Sequence, residues 1–274
     1  MTLISLIVVL LAERVANQSK YWQANFYTSH LFAFLQRRDI VKPGMQSATF
    51  IAVIGLPTVF LLILLGQIDS SIVRLVLDTA ILMVCIGCPA LRETYKNYLQ
   101  AANRGDFQAS SMYADQLGHD VDSPATFGQM LVWLNYQHYA AVIIWFALLG
   151  PAGSVLYVLT RALHETTLEQ HDDSHPISEK VLHILDWIPV RVTALGFLLV
   201  GHFSKALPIW LSHFGNLHTP AKTLLCDVAR AAEEVEPDET DCTEEPCTLV
   251  RLAKRNVMFL VVAISILSLS GWLR

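Results

Sequence analysis

A chain of 274 residues that is 53% hydrophobic and 16% charged has too little polar surface for an ordinary soluble domain, where about a quarter of residues are charged. Its mean hydropathy of +0.43 puts it in the membrane class. The net charge of −5 is local: eight of the 24 acids lie in Ala231–Thr248, which holds no Lys or Arg, so the rest carries 16 acids against 19 bases. The body is mildly basic and one segment is strongly acidic.

In chain order, Met1–Ala12 is apolar but has neither a basic n-region nor a small-residue cleavage site, so it does not read as a signal peptide. At about 12 residues it is short for a span and is expected to be interfacial or re-entrant. It opens an apolar and basic N-terminal segment, 1–46. Ala48–Leu65 and Ile72–Ala90 are span candidates joined by "GQIDSS", which predicts a transmembrane hairpin over 47–90. Cys85 and Cys88 form C-x-x-C inside this apolar stretch, where small packing residues are the simpler reading than redox or metal chemistry. An odd count of five cysteines gives no disulfide framework. The region 91–138 reads as polar helices: "LRETYKNYLQAAN" has helical spacing, Gly105 suits a helix end, and Asp106 suits the start of a second helix ending near Gly118.

Two runs in the region 139–207 are ambiguous, Tyr139–Leu163 and Pro189–Leu207. Gly150, Pro151 and Gly153 break the first into two half-helices of about eleven residues, which could dip in and return. A cytoplasmic acidic loop is expected over 221–255, and a last span over 256–273. Arg14, Lys20, Arg37, Arg38 and Lys42 precede the hairpin, Arg92, Lys96 and Arg104 follow it, and Arg251, Lys254 and Arg255 precede the last span. The positive-inside rule assigns all three groups to the cytoplasm. The two ambiguous runs therefore both cross or both stay. The fold class is all-α: a polytopic membrane helical protein, treated as a single membrane domain, with surface helices between spans.

Several polar residues stand out. Arg74 and Asp78, four apart in a span, predict a structural ion pair. With Pro189 as a helix start, Arg191, His202 and Lys205 share one face and would suit an anion site; a helix with snorkelling ends fits the same pattern. His119, Asp120 and Asp122 in "GHDVDS" could hydrogen bond or titrate, with capping as the simpler use. His164, His171, His175 and His183 lie among Glu165, Glu169, Asp172 and Asp173 but match no tight metal spacing, so a solvated loop is expected and no metal. The acidic segment reads as disordered. Nothing resembles a nucleic-acid motif or a phosphate loop.

"LDWIPVRVTAL" is similar to the D-x-x-P-x-R-x-T-A signature of the CobD/CbiB membrane proteins of cobalamin synthesis. "GHDVDS" resembles that family's G-R-D-T region and "AAVIIWFALLGPAGSVLY" its A-P-L-F-W segment. The closer resemblance, over nearly the whole chain, is to the shorter AmpE regulatory proteins, through "LIVVLLAERV", "LVWLNYQHY", "LHILDWIPVR" and "GHFSKALPIW". CobD-type enzymes form an amide bond at the expense of ATP. Here no Asp or Glu lies between Asp122 and Glu165, "TRALHET" stands in place of their N-T-L-D-S-M-type stretch, and His119 replaces an Arg. The resemblance implies a retained scaffold and a bacterial inner-membrane signalling modulator linked to peptidoglycan recycling and β-lactamase induction. It implies no cofactor, the lipid bilayer as partner, a small anionic or cell-wall-derived ligand, and a homo-oligomer or a protein partner of cell-wall recycling. Arg191, Asp120, Asp186, His119 and His202 are the expected ligand residues; Arg74, Asp78, Pro151 and Pro189 the structural ones. A CobD-type synthetase and a transporter of muropeptide-like solutes are the alternative readings.

Overall fold

The structure, a computed structural model, describes residues 2–15, 22–38, 47–120, 124–169, 175–215, 219–233 and 243–271. Among these the fold is helical throughout, without a strand. The chain divides into two compact units: residues 1–87, 141–187 and 263–274 form the first, and 88–140 and 188–262 the second.

The first unit contains α1 (Thr2–Val15), α2 (Ala24–Arg37), α3 (Ser47–Gly66), α4 (Ser71–Cys85), α8 (Ala141–Leu149) and α9 (Pro151–Glu169), with the first half of α10 (His175–Val200). Helix α9 packs against α2, α3, α4 and α8, and α1 packs on α4. The core joins Phe32, Phe50, Val53, Ile54, Leu159, Ala162 and Leu163. On α3, Phe50, Ile54 and Leu65 are buried while Ile51, Leu56, Phe60 and Ile63 are exposed. A helix that is apolar all round has a face for lipid as well as one for protein. Its Thr58 hydroxyl returns to the Ile54 carbonyl at 2.8 Å, so that buried hydroxyl is satisfied within the helix itself.

The second unit contains α5 (Pro89–Asn103), α6 (Phe107–Gln116), α7 (Phe127–Asn135), α11 (Phe203–Phe214) and α12 (Ala221–Glu233), with the second half of α10 and the start of α13 (Glu244–Leu269). Helices α5 and α6 form a hairpin, and α12 packs on α7 and α11. Tyr98, Ala114, Leu117, Phe127 and Leu131 form its core. The caps between α5 and α6 follow the sequence reading: Gly105 has φ +73°, Asp106 accepts a hydrogen bond from the Ala109 amide at 3.0 Å, and Gly118, with φ +81°, follows α6.

Among the described residues, four helices are long and apolar enough to cross a membrane: Ala48–Gly66, Phe127–Leu149, Pro176–Val200 and Glu244–Leu269; α4 and α5 make a fifth, broken candidate. Several boundaries differ from the sequence expectation. The second span stops at Cys85 rather than Ala90 because Gly87 takes φ +76° and Pro89 opens the next helix. The break at Gly150, φ +67°, falls as expected and Pro151 opens α9. The flanking helices nevertheless outrun the predicted half-helices: the first begins at Phe127, passing through a π-helical turn at Tyr136–Ala140, and the second reaches Glu169. Pro189 does not start a helix but lies inside α10. A proline there forgoes one backbone hydrogen bond, a loss that packing on the helix outweighs. The acidic segment is helical at both flanks, through Glu233 and from Glu244; residues 234–242 lie outside the described residues.

Candidate functional site

The "DWIPVR" stretch carries two charged groups, and each unit holds one. In the first unit, α9 and the first half of α10 run antiparallel, fixed by three polar contacts. The buried Tyr157 hydroxyl donates to Asp186 Oδ1 at 3.0 Å. Further along, His164 Nδ1 and Thr167 Oγ1 lie 2.9 and 3.0 Å from the buried Ser178 hydroxyl. Asp186, expected to be a ligand residue, therefore sits on a helix and accepts from a side chain. A buried carboxylate needs such donors. Arg161, on α9, is 2% exposed and its Nε lies 3.5 Å from Glu165 Oε1, one turn on.

In the second unit Arg191 is 8% exposed, and its Nε donates to the carbonyl of Phe214, the last residue of α11, at 3.4 Å. A cation at a helix C-terminus also meets the negative end of the helix dipole. Two residues on, Thr193 is buried and its carbonyl accepts from Asn256 Nδ2 at 3.1 Å. Gly196 admits this amide, since a Cβ there would lie 2.0 Å from Asn256 Oδ1. Helix α10 ends at Val200, whose carbonyl accepts from Arg255 Nη2, and Arg255 Nη1 bonds Glu233 Oε1 at 3.1 Å.

The expected common face of Arg191, His202 and Lys205 is broken. A Cβ at Gly201 would lie 2.7 Å from the Ala232 carbonyl; this close approach of α12 accompanies the end of α10. His202 becomes the N-cap residue of α11, and both His202 and Lys205 are exposed. His119 is half-buried, its ring 5.6 Å from that of Phe127, and Asp120 is exposed. Asp122, His171, Asp172 and Asp173 lie outside the described residues. In the first unit Asp78 is 3% exposed and its Oδ1 has no hydrogen-bond partner among the described residues, while Arg74, one turn earlier, is exposed. Among the described residues no three His, Cys, Asp or Glu side chains are grouped to hold a metal ion.

Glu245 was missed entirely. Read as part of a disordered acidic loop, it is instead 5% exposed. Its carboxylate accepts from the Gly128 amide at 3.0 Å and from the Thr126 hydroxyl, capping the start of α7. A Cβ on Gly128 would lie 2.5 Å from that carboxylate. Thr126 and Gln129 complete a capping box, the available local signal. Gln129 Nε2 donates to the Cys226 carbonyl at 3.4 Å, and the Cys226 thiol donates to the Gln129 carbonyl at 3.5 Å.

A family model described as "Regulatory signalling modulator protein AmpE" matches residues 1–274. Protein AmpE of Shigella flexneri is 30% identical over 286 residues, covering 99% of both chains. Cobalamin biosynthesis protein CobD of Chromobacterium violaceum is 23% identical over 240 residues, covering 78% of this chain and 74% of its own. No solved structure matches.

Proposed function

The chain belongs to the AmpE family of regulatory signalling modulators, and from that premise we propose that it couples a small anionic ligand to signalling between peptidoglycan recycling and β-lactamase induction at the inner membrane. One observation carries the ligand reading: the D-x-x-P-x-R-x-T-A stretch keeps its arginine, and the Arg191 guanidinium is buried in a membrane-candidate helix. Charge at such a depth is costly and marks function more often than packing. A guanidinium presents a planar fork of donors that matches a carboxylate or phosphate. His119 and Asp120, in the same unit, are the proposed polar surroundings, with Asp120 as the counter-charge when the ligand is absent. Asp186 belongs to the other unit, and its bond from Tyr157 supports a positioning role for it.

The synthetase reading is weaker because transfer from a nucleotide needs phosphate charge neutralised, commonly by Mg²⁺ on carboxylates, and the stretch between Asp122 and Glu165 supplies none. The test is complementation. A host lacking its own family member receives this chain or its variants, and β-lactamase expression is followed after challenge with a cell-wall antibiotic. Arg191→Ala is expected to abolish complementation at unchanged membrane abundance, and Arg191→Lys to restore it poorly. Full complementation by Arg191→Ala overturns the ligand role of Arg191.

A further inference from the structure

Helix α11 begins three residues after the candidate span Pro176–Val200 ends, and its three faces differ. One face packs on the protein: Ala206 is fully buried, His213 Nε2 lies 3.5 Å from Asp227 Oδ2 of α12, and α12 is the neighbour of α11. Both ends are tied, since the His202 amide donates to the Ala232 carbonyl at 2.8 Å and Arg191 Nε donates to the Phe214 carbonyl. A second face carries the exposed Ser204, Lys205 and Ser212. The third is apolar and outward: Phe203, Leu207, Leu211 and Phe214 recur at i, i+4, i+8 and i+11, and Phe203, Leu211 and Phe214 are 49%, 55% and 49% exposed.

From this arrangement we propose that α11 lies in the membrane–water interface, with its Phe203–Leu207–Leu211–Phe214 stripe inserted among lipid acyl chains just below the headgroups. Three large side chains half-exposed on a helix fixed at both ends have no use in water. A bilayer surface is where a chain leaving a membrane span arrives, so continuity with α10 selects lipid over a soluble partner. With one face on the protein, one polar face and twelve residues, α11 suits an in-plane helix, whose apolar face enters about 5–10 Å, and is too short to cross. Lys205, on the polar side, is placed for headgroup phosphate. The inference goes beyond the proposed regulation and stands whether or not Arg191 binds a ligand.

The full chain, reconstituted in phosphatidylcholine–phosphatidylglycerol nanodiscs, is photolabelled by lipids carrying a diazirine either near the headgroup or at the acyl terminus, and the labelled peptides are read by mass spectrometry. Peptides from α11 should take the shallow label several-fold more than the deep one, while those from α3 take both. In a Phe203→Glu, Leu211→Glu variant, shallow labelling of α11 should fall to background with α3 labelling unchanged. Dominant deep labelling of native α11 would mean that it crosses, and no labelling would mean that water or a second copy covers the stripe; either result overturns the proposal.

Discussion

Burial decides what the individual polar residues do, and sequence shows it poorly. Cys226 is the clearest case. Burial pushes its thiol from the usual 9.0 up to about 12, with Lys222 lowering and Asp227 raising it further. Iodoacetamide at pH 8.5 should therefore leave Cys226 unmodified in the folded, detergent-solubilised protein and modify it after denaturation, as a mass-resolved peptide map would record. The sign for stability follows. The unfolded thiol ionises first, so folding stability is unaffected below that value and declines as pH rises from it toward 12. Rapid alkylation of the folded protein at pH 8.5 would contradict the burial. Gly196 and Asn256 make the same point through packing. In the sequence one is a small residue in an apolar run and the other merely the first residue of a span; in the fold Gly196 leaves room for the Asn256 amide, which bonds the Thr193 carbonyl and joins α10 to α13. Gly196→Ala should destabilise the protein by about 1–3 kcal/mol, seen as a lowered melting temperature, and a second change, Asn256→Ala, should recover part of the loss. Unaltered melting of the single variant would show that the contact has room to relax.

Among elements, what is local was legible and what is long-range was not. Helices α5 and α6, with their glycine and aspartate ends, follow from spacing and caps carried by neighbouring residues. The break at Gly150–Pro151 was legible for the same reason. Pro189 misled because its local preference for a helix start is overridden by packing along α10, so the predicted cationic face of Arg191, His202 and Lys205 dissolved. The cap on α7 was invisible because its carboxylate comes from Glu245, 117 residues further along the chain. Glu245→Gln keeps the shape but weakens charge-assisted bonds at the positive end of a helix. It should cost about 1–3 kcal/mol and speed hydrogen exchange in the first turn of α7. Gly128→Ala, which forces the carboxylate out, should act in the same direction. If exchange at the start of α7 is unchanged in both variants, Glu245 is not holding that turn.

For the molecule as a whole, the charge rule and the helix directions together predict a topology that can be tested. Ser154 on α9 donates to the Val142 carbonyl of α8 across the Gly150 turn at 3.2 Å, so α9 folds back along α8. The Tyr157–Asp186 and His164–Ser178 contacts make α9 antiparallel to α10. Helices α8 and α10 consequently run the same way. If α8, α9 and α10 all crossed, Arg251, Lys254 and Arg255 would be separated by the membrane from Arg92, Lys96 and Arg104, against the bias of basic residues toward one side. An even count satisfies that bias, and the antiparallel pair α9 and α10 supplies it. The prediction is five crossings, by α3, α4, α9, α10 and α13; α9 is not among the four helices that are long and apolar enough by themselves, and it crosses as the antiparallel partner of α10. Alkaline phosphatase and green fluorescent protein fusions read the two sides. A reporter after Arg274 should be periplasmic, and so should one inserted between Glu169 and His175, whereas one beside Gly118 should be cytoplasmic. A cytoplasmic signal after Arg274 would overturn the charge argument itself. A cytoplasmic signal between Glu169 and His175, with Arg274 still outside, would mean that α9 and α10 enter and leave by the same face. Arg161 and Asp186 would then be carried on re-entrant helices rather than on spans.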